Sequence, residues 1–327
     1  MKKIVVTVSP KRFERFGISF PSDWTVNFLD SMCTEDELIE ACKGVEYLFT
    51  GSDFTVSSKV IESSRLKMIH VEGVGFNRID CDAAKEHGVY VCNNRAVNNI
   101  AVAEHTIGLI LAAQRRIALT DRQIHEIGYG PCKYEFLAQG EHELFGKTLG
   151  LVGIGAIGKE VAKRANAFGC HVIYYDVFPL KPEDEKALNV TQVTLDELIK
   201  TSDVISLHVP VLDSTFHMIN AERLSQMKKD AILVNTARGA IIDQKALCDA
   251  LENGTIGAAA LDVVDPDSAP RDLDIFNLSA NGRKRLTVTP HVGGMTDEAF
   301  TRMLTNAIAN FDRCEAGERP VNIVNGL

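Results

Sequence analysis

A glycine-rich hexapeptide near the middle of the chain has the residue types and spacing of a phosphate-binding turn. It reads Gly153-Ile154-Gly155-Ala156-Ile157-Gly158 and matches the pattern G-x-G-x-x-G. The buried-strand pattern TLGLV precedes it and the helical pattern AIGKEVAKRANAF follows it, which is the context that this motif requires. The first glycine permits a tight turn, the second lets a pyrophosphate approach the backbone, and the third lets helix and strand pack closely. We therefore expect the N–H groups at the start of this helix to bind the phosphates of a dinucleotide.

An aspartate at the end of the next strand bears on which dinucleotide is bound. The predicted strand HVIYYD ends at Asp176, 18 residues after Gly158. A carboxylate at this position accepts hydrogen bonds from the hydroxyls of the adenosine ribose and repels a 2′-phosphate. The four residues that follow, 177–180, contain no arginine. The pattern favours NAD over NADP, and the alternative is a plain strand–turn–helix with a surface aspartate.

Further polar residues end other predicted strands, where open α/β sheets bind their ligands. They are His208 after DVISL, Arg238 after AILVNTA, Asp262 after GAAAL and His291 after RLTVTP. One arginine at a strand end is more often part of a surface ion pair than a substrate ligand. Several polar strand ends beside a dinucleotide turn favour a catalytic site instead.

The elements that must position these residues alternate along the chain. Short β-branched runs alternate with helical patterns, which predicts a parallel sheet with helices on both faces. Between the two halves, one helical stretch runs from about Asn99 to Ile127, and residues 266–285 have the pattern of a long loop. At 1.5 Å per residue the helical stretch is about 40 Å long. It either links two domains or packs against a second subunit. The predicted strands are KKIVVTVS, VEYLFTG, KMIHVEG, VYVCNN, TLGLVGIG, CHVIYYD, DVISLHVP, DAILVNTAR, IGAAALDVV and RLTVTPH.

Length and composition exclude several classes of protein. A chain of 327 residues corresponds to about two domains. With 35 Lys and Arg against 44 Asp and Glu, the net charge of −9 disfavours nucleic-acid binding as the main activity. The uncharged runs are shorter than the roughly 20 residues that span a bilayer, so no membrane attachment is expected.

The cysteines and the remaining histidines have no spacing that indicates a metal site or a disulfide framework. The eight cysteines contain no C-x-x-C pair, so we expect no metal and reduced thiols in a cytoplasmic protein. The remaining histidines are expected to be hydrogen-bonded or solvent-exposed and to have no catalytic role. They are His70, His87, His105, His125, His142, His171 and His217.

Seven segments, in order along the chain, resemble the D-isomer-specific 2-hydroxyacid dehydrogenases. They are VEGVGFNRID (71–80), NNRAVNNIAVAEHTIGLILAAQRR (93–116), LGLVGIGAIG (149–158), LHVP (207–210), NTARGAIID (235–243), GAAALDV (257–263) and TPHVGG (289–294). The resemblance implies an α/β protein with two lobes that close around the substrate. Residues 99–295 would form a Rossmann-type NAD-binding domain with a doubly wound parallel sheet. Residues 1–98 and 296–327 would form a smaller, discontinuous, flavodoxin-like substrate domain, and the long helix from Asn99 would build a homodimer.

The resemblance also implies catalytic roles. Arg238 matches the arginine that holds the substrate carboxylate and polarises the 2-keto oxygen, and His291 matches the general acid/base. The family usually places a glutamate partner for this histidine five residues after the aspartate of the L-D-V segment. This chain has Asp267 there, one methylene shorter. We expect Asp267 to be the partner, and the alternatives are Asp265 or no carboxylate partner at all.

The remaining ligand contacts follow from the same resemblance. The substrate carboxylate is expected on the backbone N–H groups of Gly73, Val74 and Gly75, with Asn98 nearby. Asp262 matches the residue that hydrogen-bonds the nicotinamide carboxamide. Arg95 stands where the family often has proline, and it either faces solvent or contacts a second acidic group on the substrate. Substrate specificity would come from loops such as 50–53 and 76–78. The other residues expected to line the cofactor are His208, Val209, Pro210, Thr236, Ala237 and Gly294.

The resulting prediction is an NAD-dependent dehydrogenase that interconverts a small 2-oxo acid and its D-2-hydroxy acid, with no metal. Two alternatives stay open. One is an NADP-dependent glyoxylate or hydroxypyruvate reductase, which Asp176 disfavours. The other is a non-catalytic NAD-sensing scaffold similar to the C-terminal-binding-protein corepressors, which the absence of a long tail or linker disfavours.

Overall fold

The computed structural model describes residues 2–51 and 54–327, and the chain divides into two compact units. One unit consists of the chain up to Asn98 together with Met295–Leu327, and the other of Asn99–Gly294. Each unit has one sheet in which neighbouring strands are parallel. The α/β prediction is confirmed.

The first unit is built on a five-stranded sheet with the flavodoxin-like order β2-β1-β3-β4-β5. The inner strands β3 and β4 are buried at every position, because helices cover both faces of the sheet. Its strands are β1 (Lys2–Val6), β2 (Trp24–Phe28), β3 (Tyr47–Thr50), β4 (Met68–Val71) and β5 (Tyr90–Cys92). Its helices are α1 (Pro10–Phe16), α2 (Glu35–Cys42), α3 (Ser58–Glu62), α4 (Cys81–Glu86) and the last helix of the chain, α14 (Asp297–Glu315).

The second unit has a seven-stranded sheet in the order β12-β11-β10-β9-β6-β7-β8. The chain moves outward from β6 in both directions, so the carboxyl end of β6 lies at the topological switch point where such sheets bind ligands. Its strands are β6 (Thr148–Val152), β7 (His171–Tyr175), β8 (Val190–Gln192), β9 (Val204–Leu207), β10 (Ile232–Asn235), β11 (Ala258–Leu261) and β12 (Leu286–Val288).

Nine α-helices and two single-turn 3-10 helices complete the described part of the second unit. The buried faces of α5 and α8 pack against one side of the sheet, and those of α10, α11 and α12 against the other. The α-helices are α5 (Asn99–Gln114), α6 (Ile117–Ile127), α7 (Tyr129–Gln139), α8 (Ala156–Ala167), α9 (Pro182–Leu188), α10 (Leu195–Thr201), α11 (Ala221–Gln226), α12 (Gln244–Asn253) and α13 (Ala280–Arg283). The 3-10 helices are Gly239–Ile241 and Asp274–Phe276.

The prediction of one continuous helix from Asn99 to Ile127 is wrong. The helix ends at Gln114, and Arg116 takes a left-handed conformation (φ 48°) before α6 begins. The guanidinium of Arg116 binds the Glu141 carboxylate and the Gly140 carbonyl oxygen, which lie beyond α7. These distant partners stabilise a bend that the local apolar spacing does not indicate.

Two strands were not predicted, and one predicted loop contains helix. Strands β2 and β8 are edge strands with mostly exposed or half-exposed side chains, so neither has the buried apolar run that marks the central strands. The predicted loop 266–285 contains the 3-10 turn Asp274–Phe276 and the short helix α13. Within the described ranges, no helix combines the length and apolar character needed to cross a bilayer.

Candidate active site

The glycine-rich turn joins β6 to α8 at the switch point, and its geometry requires glycine at two positions. Gly153 has φ 100°, and a Cβ atom there would lie 2.6 Å from the His208 carbonyl oxygen. A Cβ atom on Gly158 would lie 2.3 Å from the Gly153 carbonyl oxygen, so the helix and the turn are in backbone contact. A Cβ atom on Gly155 would meet nothing within 4 Å. The start of α8 therefore faces open space in which a pyrophosphate fits.

Asp176 is tied directly to this turn. One of its carboxylate oxygens accepts the Ile154 N–H at 2.8 Å, and the other accepts the Phe178 N–H at 2.9 Å. The side chain is half-buried, and each oxygen keeps a lone pair for a further donor such as a ribose hydroxyl. The residues present fit the adenosine half of a dinucleotide.

The segment 208–210 follows β9, next to the turn. The His208 N–H donates to the Val152 carbonyl oxygen at 2.7 Å, and the side-chain Nε2 lies 2.9 Å from Ser206 Oγ. Burial lowers the pKa of His208 to about 4, so the ring is neutral near pH 7. Its Nδ1 is buried and has no partner within residues 2–51 and 54–327. Val209 is half-buried and Pro210 is exposed.

Arg238 follows β10 on a short loop held by a buried asparagine. Asn235 accepts the Ala237 N–H at 3.0 Å and donates to the Arg238 carbonyl oxygen at 2.8 Å. Arg238 is exposed and uses one donor on the Ala237 carbonyl oxygen. Thr236 is buried against Thr106 of α5, at 3.0 Å between hydroxyl oxygens. Most of the Arg238 fork therefore stays available to an anion. Asn235 was not predicted, although a polar residue in the buried run AILVN is the signal that could have indicated it.

His291 and Asp267 are in contact. The two Asp267 carboxylate oxygens lie 2.8 and 2.9 Å from Nδ1 of His291, which leaves Nε2 of the ring free. His291 has φ 53°, and its N–H donates to the Asp262 carbonyl oxygen at 2.8 Å. Asp265, the alternative partner, is bonded through its backbone to the side chain of Gln244 instead.

Asp262, after β11, lies at the centre of a hydrogen-bond network. Its carboxylate accepts Thr289 Oγ1 at 2.6 Å, the Val292 N–H at 3.0 Å and the Gly293 N–H at 2.8 Å. His105 of α5 lies 3.3 Å from the same carboxylate. Burial raises the pKa of Asp262, but these hydrogen bonds outweigh burial and hold the pKa at about 2.

Two contacts of this network were not among the predicted ones. His105, expected to be hydrogen-bonded or solvent-exposed, contacts the Asp262 carboxylate. Gly293 makes the backbone contact with that carboxylate, whereas the predicted Gly294 is the half-buried residue that follows it. A Cβ atom on Gly293 would lie 2.8 Å from the Asp262 carboxylate and 3.1 Å from the His105 ring.

In the first unit, the loop Gly73-Val74-Gly75 follows β4 and is held by two asparagines. Asn94 donates its N–H to the Gly73 carbonyl oxygen at 2.9 Å, and Asn93 donates its side-chain amide to the Val74 carbonyl oxygen at 2.6 Å. Both asparagines are buried, and neither was predicted to have a role in the site.

Other predicted residues of the first unit have fewer contacts. Asn98 is half-buried and the Arg95 side chain is exposed. In the expected specificity loop 50–53, Ser52 and Asp53 lie outside the described residues. Among the residues that the structure does describe, no group of three or more His, Cys, Asp or Glu side chains could hold a metal ion.

The family model for the NAD-binding domain of D-isomer specific 2-hydroxyacid dehydrogenases matches residues 107–293. The chain belongs to this family. The expected family, fold class and NAD cofactor are confirmed. The protein is an oxidoreductase that acts on the CH–OH group of 2-hydroxy acids.

Individual members of the family are similar over most of the chain. The glyoxylate reductase of Korarchaeum cryptofilum is 36% identical over 290 residues, which cover 88% of this chain and 85% of that protein. The hydroxypyruvate reductase of Thermotoga maritima is 42% identical over 270 residues, covering 82% and 84%. The crystal structure of D-lactate dehydrogenase from Aquifex aeolicus, complexed with NAD and lactic acid, aligns with a TM-score of 0.82 at 30% identity and covers 100% of both chains.

Proposed function

We propose that this 2-hydroxyacid dehydrogenase reduces a small 2-oxo acid, with glyoxylate and hydroxypyruvate as the first candidates, and that it uses NADH in preference to NADPH. The observation that carries the catalytic part is the contact between His291 and Asp267, which leaves Nε2 of the histidine free to exchange a proton. The substrate candidates are supported by the names of the similar reductases. The preference for NADH is supported by Asp176 beside the glycine-rich turn.

The proposed mechanism assigns one task to each side chain. Arg238 binds the substrate carboxylate with its guanidinium fork and polarises the keto oxygen. His291 gives a proton from Nε2 to that oxygen during reduction and accepts it during oxidation. Asp267 accepts the Nδ1–H of His291 and thereby fixes the ring orientation and the tautomer. NADH, when bound, supplies the hydride.

The cofactor and the substrate carboxylate are assigned to the following residues. The glycine-rich turn and the start of α8, Gly153-Ile154-Gly155-Ala156-Ile157-Gly158, bind the pyrophosphate, and Asp176 binds the adenosine ribose. Asp262 accepts the carboxamide of the nicotinamide, and residues 208–210, 236–237 and 293–294 line the cofactor. The backbone N–H groups of Gly73, Val74 and Gly75, with Asn98, belong to the substrate site. Residues 1–98 and 296–327 thus form the substrate domain and residues 99–295 the NAD domain.

We further propose a homodimer in a reducing compartment such as the cytoplasm. The helices α6 and α7 and the segment after them expose large apolar side chains, which a second copy of the chain would cover. These are Ile117, Ile127, Tyr129, Tyr134, Leu137 and Phe145. All eight cysteines are free thiols, which fits a reducing compartment.

The decisive test is the initial rate of NADH oxidation with glyoxylate, hydroxypyruvate, pyruvate, phosphohydroxypyruvate, 2-oxoisocaproate, phenylpyruvate and 2-oxoglutarate, with NADPH in parallel. We expect turnover of glyoxylate or hydroxypyruvate with NADH, and a loss of about 10³-fold in kcat/KM for both Arg238→Ala and His291→Ala. Binding of NADH without turnover of any acid would overturn the proposed reaction, and faster turnover with NADPH would overturn the cofactor preference.

A further inference from the structure

The carboxylate of Asp262 is almost completely buried and is surrounded by donors. One oxygen receives the Thr289 hydroxyl and the Val292 N–H, and the other receives the Gly293 N–H. The His105 ring approaches the first oxygen to 3.3 Å. The Asp262 side chain is 3% exposed, whereas that of His105 is 24% exposed. Of the two ionisable side chains in this network, the histidine is the one that reaches solvent.

The hydroxyl of Thr289 determines which nitrogen of His105 carries the proton. A threonine hydroxyl has one proton, and Thr289 donates it to Asp262 at 2.6 Å. Nε2 of His105 lies 2.9 Å from the same hydroxyl oxygen and must therefore donate to it. The Nε2–H is present in both the neutral and the charged ring. The second proton is therefore gained or lost at Nδ1, which forms no hydrogen bond with any residue that the structure describes.

The protonation of His105 changes the charge of the network by one unit. With a neutral ring, His105 and Asp262 together carry a charge of −1, and with a protonated ring they carry none. The nicotinamide ring has a positive charge in NAD⁺ and none in NADH. A negative network favours the oxidised cofactor by Coulomb attraction, and a neutral network does not.

We propose that His105 is a positioning residue that holds Asp262 in place and, through its protonation, sets the relative affinity of the site for NAD⁺ and NADH. The inference rests on the proposed function, in which Asp262 accepts the nicotinamide carboxamide. It adds a pH-dependent preference between the two redox states of the cofactor.

Other charged groups lie on the elements packed against α5. At the carboxyl ends of the neighbouring strands, Arg238 bonds to the Ala237 carbonyl oxygen and His291 to Asp267. Glu104, the neighbour of His105 in sequence, pairs with Arg164 of α8 at 3.1 Å. In the described part of the chain, Asp262 is the charged group in contact with His105. The other charged or titratable side chains on helices packed against α5 are Lys159, Glu160 and Lys163 on α8, and Asp121, Arg122, His125 and Glu126 on α6.

The test measures cofactor binding rather than turnover. Dissociation constants of NAD⁺ and NADH are determined separately by calorimetry and NADH fluorescence between about pH 5.5 and 8.5. In the native protein we expect Kd(NAD⁺)/Kd(NADH) to rise roughly tenfold as the pH falls, because protonated His105 cancels the charge of Asp262. In His105→Gln, which keeps an N–H donor for Thr289, we expect the native ratio at high pH and a clearly smaller rise as the pH falls. Any rise that remains comes from His291, the acid/base assigned to the same site.

Two further variants make the result specific. His171→Gln, on the exposed first residue of β7, removes a histidine from the same unit and should keep the native pH profile. Asp262→Asn should change the ratio at high pH. A native ratio that does not vary with pH, or a His105→Gln protein that keeps the full variation, overturns the inference. Equal weakening of both cofactors in His105→Gln also overturns it, because that result indicates general structural damage. If Asp262→Asn leaves both dissociation constants unchanged, the proposed role of Asp262 itself fails.

Discussion

One N–H of His291 is shared between both carboxylate oxygens of Asp267, at 2.8 and 2.9 Å from Nδ1. The aspartate side chain is one methylene, about 1.5 Å, shorter than the glutamate usual in the family. The backbone of its loop approaches the neighbouring loop closely, since a Cβ atom on Gly239 would lie 2.2 Å from the Val264 carbonyl oxygen. Gln244 holds the same loop through two hydrogen bonds to the backbone of Asp265. The position of this loop lets the shorter side chain reach the histidine.

Asp267→Asn should reduce kcat by about 10²- to 10³-fold with little change in the Kd of NADH. The amide is nearly isosteric, but it removes the charge that favours the histidine tautomer with Nε2 available for proton exchange. Single-turnover measurements of NADH oxidation would show the effect on the chemical step. A native kcat in Asp267→Asn would show that Asp267 has no part in the mechanism. Asp265→Asn is the control, because Asp265 lies in the same loop, and it should keep the native kcat.

Gly239→Ala should destabilise the second unit by about 1–3 kcal/mol and lower activity, because the added methyl group overlaps the backbone of Val264 and Asp265. Thermal unfolding and NADH oxidation would be measured on the same sample. Gly108→Ala is the matched control, since a Cβ atom at this exposed position in α5 meets nothing within 4 Å. The control should be neutral or slightly stabilising. Equal effects of the two substitutions would contradict the close approach of the two loops.

Asp176→Ala should reduce the preference for NADH over NADPH by roughly 10- to 100-fold in kcat/KM. The substitution removes a charged acceptor for the ribose hydroxyls and the repulsion of a 2′-phosphate. Initial rates with both cofactors and a single 2-oxo acid measure the ratio. Asp230→Ala makes the same change in net charge at an exposed residue just before β10, at the amino edge of the parallel sheet and so opposite the turn, and should leave the ratio as it is. A ratio that Asp176→Ala does not alter would exclude Asp176 from cofactor selection.

Asp262 should contribute stability that depends on pH. Its pKa in the folded protein is about 2, below the ordinary value of 3.8. A lowered carboxyl pKa stabilises the folded state above the ordinary pKa, and this contribution is lost as the pH falls from about 4 towards 2. Asp262→Asn should therefore be less stable than the native protein by about 2 kcal/mol at pH 7, with a smaller difference at pH 3. Urea unfolding at pH 7 and pH 3 gives the free energy of unfolding of both proteins. A difference between them that grows towards acid pH would contradict the lowered pKa of Asp262.

Leu137→Asp and Tyr134→Asp should convert the proposed dimer into monomers. Both side chains are large and mostly exposed on α7, at 65% and 72%, and a charge there opposes burial against a second copy. Light scattering after size-exclusion chromatography gives the mass directly. Met32→Asp, at an 87% exposed position of the first unit, is the control and should remain a dimer. A native protein that elutes as a monomer at micromolar concentration would refute the dimer.

Elements with local sequence signals could be predicted before the fold was known. The central strands were predictable because both of their faces are covered, which makes each a short continuous apolar run. The turn Gly153–Gly158 was predictable because neighbouring backbone atoms lie so close to Gly153 and Gly158 that neither position has room for a side chain. Parallel strand order then placed Arg238, Asp262 and His291 after three adjacent strands, β10, β11 and β12.

Contacts between residues that are distant in sequence could not be predicted in this way. The bend at Arg116 depends on Glu141 beyond the next two helices, and the choice of Asp267 over Asp265 depends on how one loop packs against Gly239. The pairing of His105 with Asp262 and Thr289 joins a helix to the ends of two strands much later in the chain. No periodicity or motif predicts such contacts, because a hydrogen bond between distant residues depends on where the fold places both partners.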